Sequence, residues 1–484
     1  MPAPYPARVS TQFTEEYPDA PQNGVKLVTQ EPVSTFSIDV DTASYANTRR
    51  FLKDGRLPPR DAVRIEELVN YFDYGYARPA SAETPFRATT ALVASPWSKE
   101  RQILHIGLQG YDLPHGDQPP LNLVFLVDTS GSMASEDRLP LAKKALNLLI
   151  DQLDKDDHVA IVAYAGSAGE VLAPTNGREK VKIRRALDAL ASGGSTAGGE
   201  GLALAYRLAQ ENFDKAAVNR VILLTDGDFN VGIDDPEKLK DFIAEKRKSG
   251  VYLSVYGFGR GNYNDVMMQA LAQTGNGTAA YIDTMQEARK LLRDDFAGSL
   301  FPIADDVKIQ IEFNPARVAE YRLIGYETRL LAREDFNNDK VDAGEIGSGV
   351  SVTALYEITP VGAKASSDPL RYQDHDATTH ESDELAFLKV RYKEPGGTTS
   401  KLIEQAISSD ALATVDAAPE ATRWAIAVAG FGERLRGSPW VADSFGLDEI
   451  VALAQKARGD DEFGLRAEFV QLVRAAKDAK SINE

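Results

Sequence analysis

The chain contains no cysteine among its 484 residues. Disulfides, cysteine-ligated zinc, thiolate catalysis and iron–sulfur clusters are therefore excluded. Histidine is also scarce: there are five, and no two of them have the His-x-x-x-His spacing of a helical zinc site. We therefore expect neither a zinc centre nor histidine-based catalysis.

Long apolar runs and excess positive charge are missing as well. No stretch approaches the ~18 consecutive apolar residues of a membrane-spanning helix, so we expect no transmembrane segment. Lys and Arg number 54 against 72 Asp and Glu, which gives a net charge of −18. An acidic surface repels phosphate backbones, so we expect no nucleic-acid binding. The same surface favours cations, or partners with positive patches.

The sequence has the composition of a soluble globular protein, with 43% apolar and 26% charged residues. Its length predicts about three domains at ~100–200 residues each. Residues 1–33 are rich in proline and poor in large apolar side chains, and we expect a disordered tail or linker there. Four further segments follow from changes in pattern: helices and short strands at 34–118, strands alternating with helices at 119–300, period-two strands at 301–398 and helices at 399–484.

The alternation of strands and helices in 119–300 predicts a doubly wound, Rossmann-like α/β domain with a parallel sheet. The antiparallel strands on either side are too few to form two stable sheets separately. We therefore predict one antiparallel β-sandwich assembled from both flanks, with the α/β domain inserted between them and a helical region at the C-terminus.

Polar residues follow two apolar strands of the predicted α/β domain. The segment LNLVFLV ends in Asp128-Thr129-Ser130-Gly131-Ser132, RVILL ends in Thr225-Asp226-Gly227, and Gly193-Gly194-Ser195-Thr196 lies between them in sequence. Ligands of open α/β sheets bind beyond the carboxyl ends of strands. Oxygen donors without histidine or cysteine suit Mg²⁺, Mn²⁺ or Ca²⁺. Each motif alone fits a helix N-cap or a turn, but their occurrence together and in order favours a metal site.

These motifs resemble the von Willebrand factor type A (vWA) domain and its metal-ion-dependent adhesion site (MIDAS). The segment FSIDVDTASYANTRRFL and the C-terminal flank resemble the bacterial YfbK-type group of that family. The resemblance assigns the metal, Mg²⁺ or Mn²⁺, to five ligands: Asp128, Ser130, Ser132, Thr196 and Asp226.

The resemblance also implies a function. A non-enzymatic, metal-dependent protein-binding or adhesion module is expected, in which a partner protein supplies an Asp or Glu carboxylate to the metal. It favours a periplasmic or envelope-associated protein, with its leader absent from this sequence, over a cytoplasmic one. The alternative is a structural or assembly scaffold whose metal only stabilises the domain.

Enzyme signatures are incomplete. The chain has neither the Gly-x-Ser-x-Gly of a serine hydrolase nor the Gly-x-x-x-x-Gly-Lys of a phosphate-binding loop. In Asp39-Val40-Asp41-Thr42 the threonine comes one position too early for an aspartyl phosphatase, and helix capping explains the segment better. We therefore expect no catalytic residues.

A second candidate site lies in 335–342. Asp335, Asn337 and Asp339 are spaced by two, as in the first half of an EF-hand loop that binds Ca²⁺. However, Lys340 replaces the loop glycine, and Glu345 comes one position before the usual bidentate ligand. A Ca²⁺-ordered loop and a plain Asn/Asp-rich loop both remain open.

Overall fold

The computed structural model describes residues 15–194, 198–227, 236–261, 263–366, 383–408 and 412–480. Two compact units are present. Unit 1 comprises Met1–Pro18 and Pro120–Arg293, and unit 2 comprises Asp19–Pro119 and Asp294–Glu484. In the sequence, the larger segment of unit 1, Pro120–Arg293, is thus inserted between the two segments of unit 2.

The secondary-structure elements are numbered in chain order. The strands are β1 Lys26–Leu27, β2 Val33–Ser37, β3 Phe86–Ala94, β4 Gln102–Gly110, β5 Leu121–Asp128, β6 His158–Tyr164, β7 Ala168–Asn176, β8 Val218–Thr225, β9 Val251–Gly257, β10 Ala279–Tyr281, β11 Pro302–Phe313, β12 Val318–Ile324, β13 Gly344–Gly347, β14 Ser351–Pro360, β15 Glu384–Lys393, β16 Ser400–Ser408 and β17 Leu412–Ala413. The helices are α1 Ala43–Lys53, α2 Ile65–Val69, α3 Leu139–Gln152, α4 Lys180–Asp188, α5 Gly198–Glu211, α6 Pro236–Lys248, α7 Asp265–Thr274, α8 Met285–Arg289, α9 Phe296–Leu300, α10 Glu420–Arg436, α11 Leu447–Lys456 and α12 Leu465–Asp478.

Unit 1 contains a six-stranded sheet in the order β10-β9-β8-β5-β6-β7. The strands from β10 to β6 pair in parallel. Helix α5 packs against β5, and α6 and α7 pack against β9. Strands β5 and β8 are buried along their whole length, as expected for apolar central strands. The strand order reverses between β5 and β8, so their carboxyl ends form the topological switch point where ligands bind in such sheets.

Strand β7 was not expected from the sequence. It pairs antiparallel with β6 at the edge of the sheet, and most of its side chains are exposed or half-buried. An edge strand is held by backbone hydrogen bonds on one side, so it needs no apolar run. Its sequence therefore carries little hydrophobic periodicity.

Unit 2 contains two sheets built from both flanks of the chain, and their strands pair antiparallel except for β17, which pairs in parallel with β3. One sheet has the order β1-β12-β14-β4-β3-β17, in which β4 from the N-terminal flank pairs with β14 from the C-terminal flank. In the other, with the order β13-β11-β15-β16, β2 also pairs with β11. Apolar side chains of both sheets form one hydrophobic cluster. The predicted fold class, an α/β domain inserted in a β-sandwich formed by both flanks, is confirmed.

The helical part of unit 2 also combines the two flanks. Helices α1 and α2 share a hydrophobic cluster with α10, α11 and α12. Trp424 lies at its centre, with its ring centroid 5.1 Å from that of Phe72 and 5.2 Å from that of Phe469. The predicted C-terminal helical region is present, and it is completed by helices from the other end of the sequence.

Two expected segment boundaries need correction. Within 1–33, Lys26 and Leu27 form β1 on β12, and Val28 is buried in the sandwich core, so this part of the expected tail is ordered. Backbone pairing with β12 and hydrogen bonds from Asn23 to the Leu323 and Gly325 carbonyls also hold this part, and composition alone does not reveal such contacts. The region from 399 begins with β16, paired with β15, and the C-terminal helices start only at Glu420.

The described residues include no helix long and apolar enough to cross a lipid bilayer.

Candidate metal centre

Two carboxylates lie at the switch point of the unit 1 sheet. Asp128 is the last residue of β5, and Asp226 directly follows β8. The two strands are parallel neighbours, with Val127 opposite Leu224. Asp128 and Asp226 are both fully buried. The sheet therefore brings together two predicted site residues that lie far apart in the sequence.

The hydroxyls of the first motif lie on the turn after β5. The Ser130 backbone N–H donates to Asp128 Oδ1 at 2.8 Å, and the Ser130 and Ser132 hydroxyl oxygens are 2.9 Å apart. A short 3₁₀ helix, Gly131–Ala134, continues the turn. Ser130 is buried, whereas Ser132 is exposed. The turn thus carries one hydroxyl at the buried carboxylate and one at the surface.

The glycine-rich loop lies against this turn. The Gly193 N–H donates to the Thr129 carbonyl at 2.8 Å, and the Gly131 N–H donates to the Gly194 carbonyl at 3.1 Å. Gly194 has φ of +89°, a conformation that L side chains rarely adopt. Thr196, the fifth predicted ligand, lies outside the described residues, and the described part of the loop, Gly193 and Gly194, lies against the turn after β5.

A positive group that sequence reasoning missed contacts the site. Arg138 Nη1 lies 2.7 Å from Asp226 Oδ2 and donates to the Ser132 carbonyl at 2.6 Å, and Nη2 donates to the Arg260 carbonyl at 2.7 Å. Arg138 precedes α3, and basic residues are common beside helices, so nothing in its position marks it as a site residue. Its acidic partner lies 88 residues away in the sequence.

Comparison with known families covers most of the chain. Residues 122–294 match the von Willebrand factor type A domain, residues 298–479 match the family described as "Uncharacterized protein YfbK, C-terminal", and residues 11–105 match the family described as "von Willebrand factor". The chain is 46% identical to the uncharacterized protein YfbK of Escherichia coli (strain K12), covering 98% of this chain and 83% of that protein. The chain belongs to the YfbK family.

Two further similarities are more limited. The YfbK-family chain is 38% identical to the magnesium-chelatase 60 kDa subunit of Cereibacter sphaeroides over 113 residues, which is 23% of this chain and 20% of that protein. A solved structure of a von Willebrand factor type A protein from Catenulispora acidiphila aligns with 83% of this chain and 91% of its own, with 18% identity and a TM-score of 0.44. The vWA family commonly mediates protein interactions, and this chain shares that domain.

The electrostatics at the vWA strand ends fit a divalent cation. Burial and, less strongly, the neighbouring charge of Asp226 raise the pKa of Asp128 to about 6, although hydrogen bonds from Ser130 oppose the rise. Burial also raises the pKa of the Tyr164 hydroxyl well above its usual value. Two buried carboxylates beside neutral hydroxyls form a hard oxygen donor set, and one cationic side chain, Arg138, contacts it at Asp226. The residues present therefore suit Mg²⁺ or Mn²⁺.

The second predicted site has a different environment. The Asp339 carboxylate accepts hydrogen bonds from Arg391 at 2.8 Å and from the Ser400 hydroxyl, and these lower its pKa. Lys308 Nζ donates to the Asp335 carbonyl at 3.1 Å. Asn337 ends the 3₁₀ helix that contains Asp335. Protein cations therefore contact this loop in unit 2.

A neighbouring group of carboxylates was missed by sequence reasoning. Oxygens of Asp306, Asp342 and Glu345 all lie within 4.8 Å of one another. Asp306 also accepts hydrogen bonds from Lys393 Nζ and, at 3.0 Å, from the Ala343 N–H. Asp342 belongs to the predicted loop, but Asp306 comes from β11, so spacing within the loop gave no sign of the group. Ca²⁺ binding at 335–342 stays a prediction.

Proposed function

We propose that this chain is a non-enzymatic binding module whose vWA domain holds Mg²⁺ or Mn²⁺ and, through it, a carboxylate of a partner protein. The proposed metal ligands are the five residues of the MIDAS pattern: Asp128, Ser130, Ser132, Thr196 and Asp226. The observation that carries the proposal is the pairing of two fully buried carboxylates at the switch point of the sheet with hydroxyls on the adjoining turn.

The site has a buried side and a solvent side. Asp128 and Asp226 are fully buried, whereas Ser132 is exposed. When bound, the ion would supply positive charge, and because Mg²⁺ prefers six oxygens, the five proposed ligands leave a position for water or another oxygen ligand. An Asp or Glu side chain of a partner is a suitable ligand for such a position. This arrangement supports recognition of a carboxylate from the solvent side.

Binding explains the site better than turnover does. In the proposal both carboxylates are committed to the ion, and the nearby Tyr164 stays protonated because burial raises its pKa. Neither the two carboxylates nor the Tyr164 hydroxyl is then available as a general base. His105 is buried in unit 2, where its ring contacts the Tyr76 and Thr422 hydroxyls at 2.7 and 2.9 Å. The similarity to the magnesium-chelatase subunit covers 23% of this chain, so no activity is carried over from it.

The proposal includes a location in the periplasm or envelope, which rests on the resemblance to the YfbK-type group. Fractionation of cells that express the full-length protein, followed by immunoblotting, tests it. Recovery in the cytoplasmic fraction alone would contradict this part of the proposal without affecting the metal site.

Isothermal titration of the full chain with Mn²⁺ tests the metal site. We expect one site in the wild type and loss of binding in Asp128→Ala and Asp226→Ala. Asp241→Ala serves as the matched control, because it removes an exposed carboxylate of α6 in the same unit. Unchanged Mn²⁺ affinity in both site variants, with the fold verified by circular dichroism, would refute the assignment.

Affinity capture with and without EDTA separates the binding module from a scaffold. We expect EDTA and Asp226→Ala to abolish capture of the same proteins, and amidation of the carboxylates of the lysate to abolish it too. If chelation lowers the Tm but leaves the captured proteins unchanged, the metal only stabilises the domain and the scaffold function is correct.

A further inference from the structure

Arg138 connects the proposed metal site to the loop after β9. One guanidinium nitrogen contacts the Asp226 carboxylate and the Ser132 carbonyl at 2.7 and 2.6 Å. The other donates to the carbonyl of Arg260 at 2.7 Å. The side chain is only 14% exposed. Its contacts thus join three segments of unit 1: the turn after β5, the end of β8 and the loop 258–261.

The loop is shaped around this side chain. Gly259 has φ of +78°, and a Cβ at this position would lie 2.2 Å from Arg138 Nε. The Gly259 carbonyl is held by the Tyr281 hydroxyl at 2.5 Å. A residue with a side chain at 259 would therefore displace the guanidinium. The position of Arg138 is consequently a built feature of the domain.

We propose that Arg138 and the divalent ion compete for Asp226, so that Arg138 sets the metal affinity of the site. This inference rests on the proposed function. A guanidinium within hydrogen-bond distance of a metal ligand repels a divalent ion by several times the thermal energy at the effective dielectric of a protein. Binding of the ion therefore requires Arg138 to give up its contact with Asp226.

Loss of that contact has a consequence for the loop. A guanidinium repelled from Asp226 is also drawn away from the Arg260 carbonyl, because one side chain makes both contacts. The adjacent Gly261 N–H donates to Glu15 Oε1 at 2.9 Å, and the Glu16 N–H donates to the Tyr263 carbonyl at 3.2 Å. Metal binding is thus coupled to the loop that Glu15 and Glu16 contact. The coupling is a shift of the Arg138 side chain between two states.

Mn²⁺ titration of Arg138 variants of the full chain tests the competition. Arg138→Met keeps an apolar side chain of similar length without the charge, and we expect at least tenfold tighter Mn²⁺ binding. Arg138→Lys retains the charge and should stay much closer to wild type. Arg178→Met is the matched control. Arg178 is exposed and follows Asn176, which pairs with the first residue of β6, whereas the proposed metal site lies at the carboxyl ends of the strands. The Mn²⁺ affinity of this variant should not change.

Each outcome decides between the two proposals. Wild-type binding with an unchanged or weaker affinity in Arg138→Met overturns the competition and leaves the metal site intact. Absence of Mn²⁺ binding in both wild type and Arg138→Met overturns both. Arg138→Gln is the second variant should the methionine fail to fold, and it must also bind more tightly. As a readout other than affinity, hydrogen exchange of 258–261 should increase on Mn²⁺ addition in the wild type and not in Arg138→Met.

Discussion

Both units bury carboxylates beside arginines, as Asp226 lies beside Arg138 in unit 1, but one buried carboxylate of unit 1 is not paired in this way. In unit 2, Arg322 lies 2.7 Å from Glu433 and 3.4 Å from Glu357, and Arg329 lies 2.8 Å from Asp39 and 3.1 Å from Asp41. In unit 1, Asp128 is fully buried and has no Lys, Arg or His partner among the described residues. Buried charges that serve structure are paired by the chain itself, whereas a carboxylate without such a partner is available to an external cation.

Burying a charge without compensation costs several kcal/mol. The unit 2 network adds a neutral donor, since Trp97 Nε1–H donates to Glu357 at 2.8 Å. At the switch point of unit 1, by contrast, the groups that donate to Asp128 are neutral, and they include the Ser130 N–H at 2.8 Å and the Thr225 hydroxyl at 3.4 Å.

The largest expected effect is in the paired network. Arg322→Met leaves Glu357 and Glu433 buried without that guanidinium, and we expect it to lower the free energy of unfolding by about 3–5 kcal/mol. Arg317→Met is the control: its pair with Asp383 is exposed, with side chains 42% and 81% accessible, and should change stability by less than about 1 kcal/mol. Urea denaturation measures both. Equal effects would show that burial of the pair does not matter.

The next effect concerns the proposed metal site, where Arg138 contacts Asp226 but no cationic side chain contacts Asp128 among the described residues. At a Mn²⁺ concentration of 100 Kd, binding should stabilise wild-type unit 1 by about 2.7 kcal/mol. Asp226→Asn should remove that gain. Hydrogen exchange, measured with and without Mn²⁺, should slow in β5 and β8 but not in β14. Equal slowing in β14 would mean that the ion acts on the whole chain, and the contrast between the units would then fail.

A third effect distinguishes one carboxyl of unit 2 from its paired neighbours. Burial, followed by the charges of Glu327 and Asp39, raises the pKa of Glu66 to about 8, against 4.5 in the unfolded chain. Glu66 therefore favours folding when protonated. Its contribution is fully present below pH 4.5 and is lost as the pH rises through 8. From pH 6 to 9 the wild type should lose about 2.7 kcal/mol relative to Glu66→Gln.

Urea denaturation of the wild type and of Glu66→Gln from pH 6 to 9 measures this contribution. The difference in the free energy of unfolding between the two proteins isolates the Glu66 side chain. A difference that stays constant with pH would show that Glu66 is ionised in the folded state. Glu66 would then be, like Asp128, a buried carboxylate that is charged in the folded chain. The contrast between Asp128 and the buried carboxylates of unit 2 would then weaken.

The sequence predicted which residues of the candidate site follow the two central strands, because their position depends on the local sequence. Strand patterning was enough to place Asp128, Ser130 and Ser132 after one apolar strand and Asp226 after its neighbour, whereas their role as metal ligands stays a prediction. Arg138 could not be predicted, because its position depends on the end of β8 and on the shape of the loop at Gly259.

The same limit applies to the fold. The inserted arrangement followed from counting strands on the two flanks, because neither flank could cover a sheet alone. The edge strand β7 and the ordered β1 did not follow, since both are fixed by backbone pairing to partners. Pairing partners are set by tertiary structure, and apolar periodicity records only which face of an element is buried.

The smallest effect we expect is at the acidic loop of unit 2, residues 335–345. Its carboxylates are intermediate between the arginine-paired carboxylates of unit 2 and the unpaired Asp128 of unit 1. The Lys393 ammonium contacts the Asp306 carboxylate and donates to the Asp339 carbonyl at 2.9 Å, and Arg391 contacts the Asp339 carboxylate at 2.8 Å. These protein cations reduce the attraction of the loop for Ca²⁺. We therefore expect millimolar Ca²⁺ to protect 335–345 only slightly against an endoprotease that cleaves beside acidic residues.

Removal of one cation sharpens this test. Lys393→Met leaves the carboxylates of Asp306, Asp342 and Glu345 without the ammonium group, and Ca²⁺ protection should become several-fold larger than in the wild type. Lys401→Met is the control, because Lys401 pairs with Glu394 at an exposed position of β16. The assay is run in an Asp128→Ala background so that the vWA site does not contribute. If Ca²⁺ leaves cleavage unchanged in both Lys393→Met and the parent, 335–342 is a plain loop whose carboxylates, like those of the buried network, are neutralised by the chain itself.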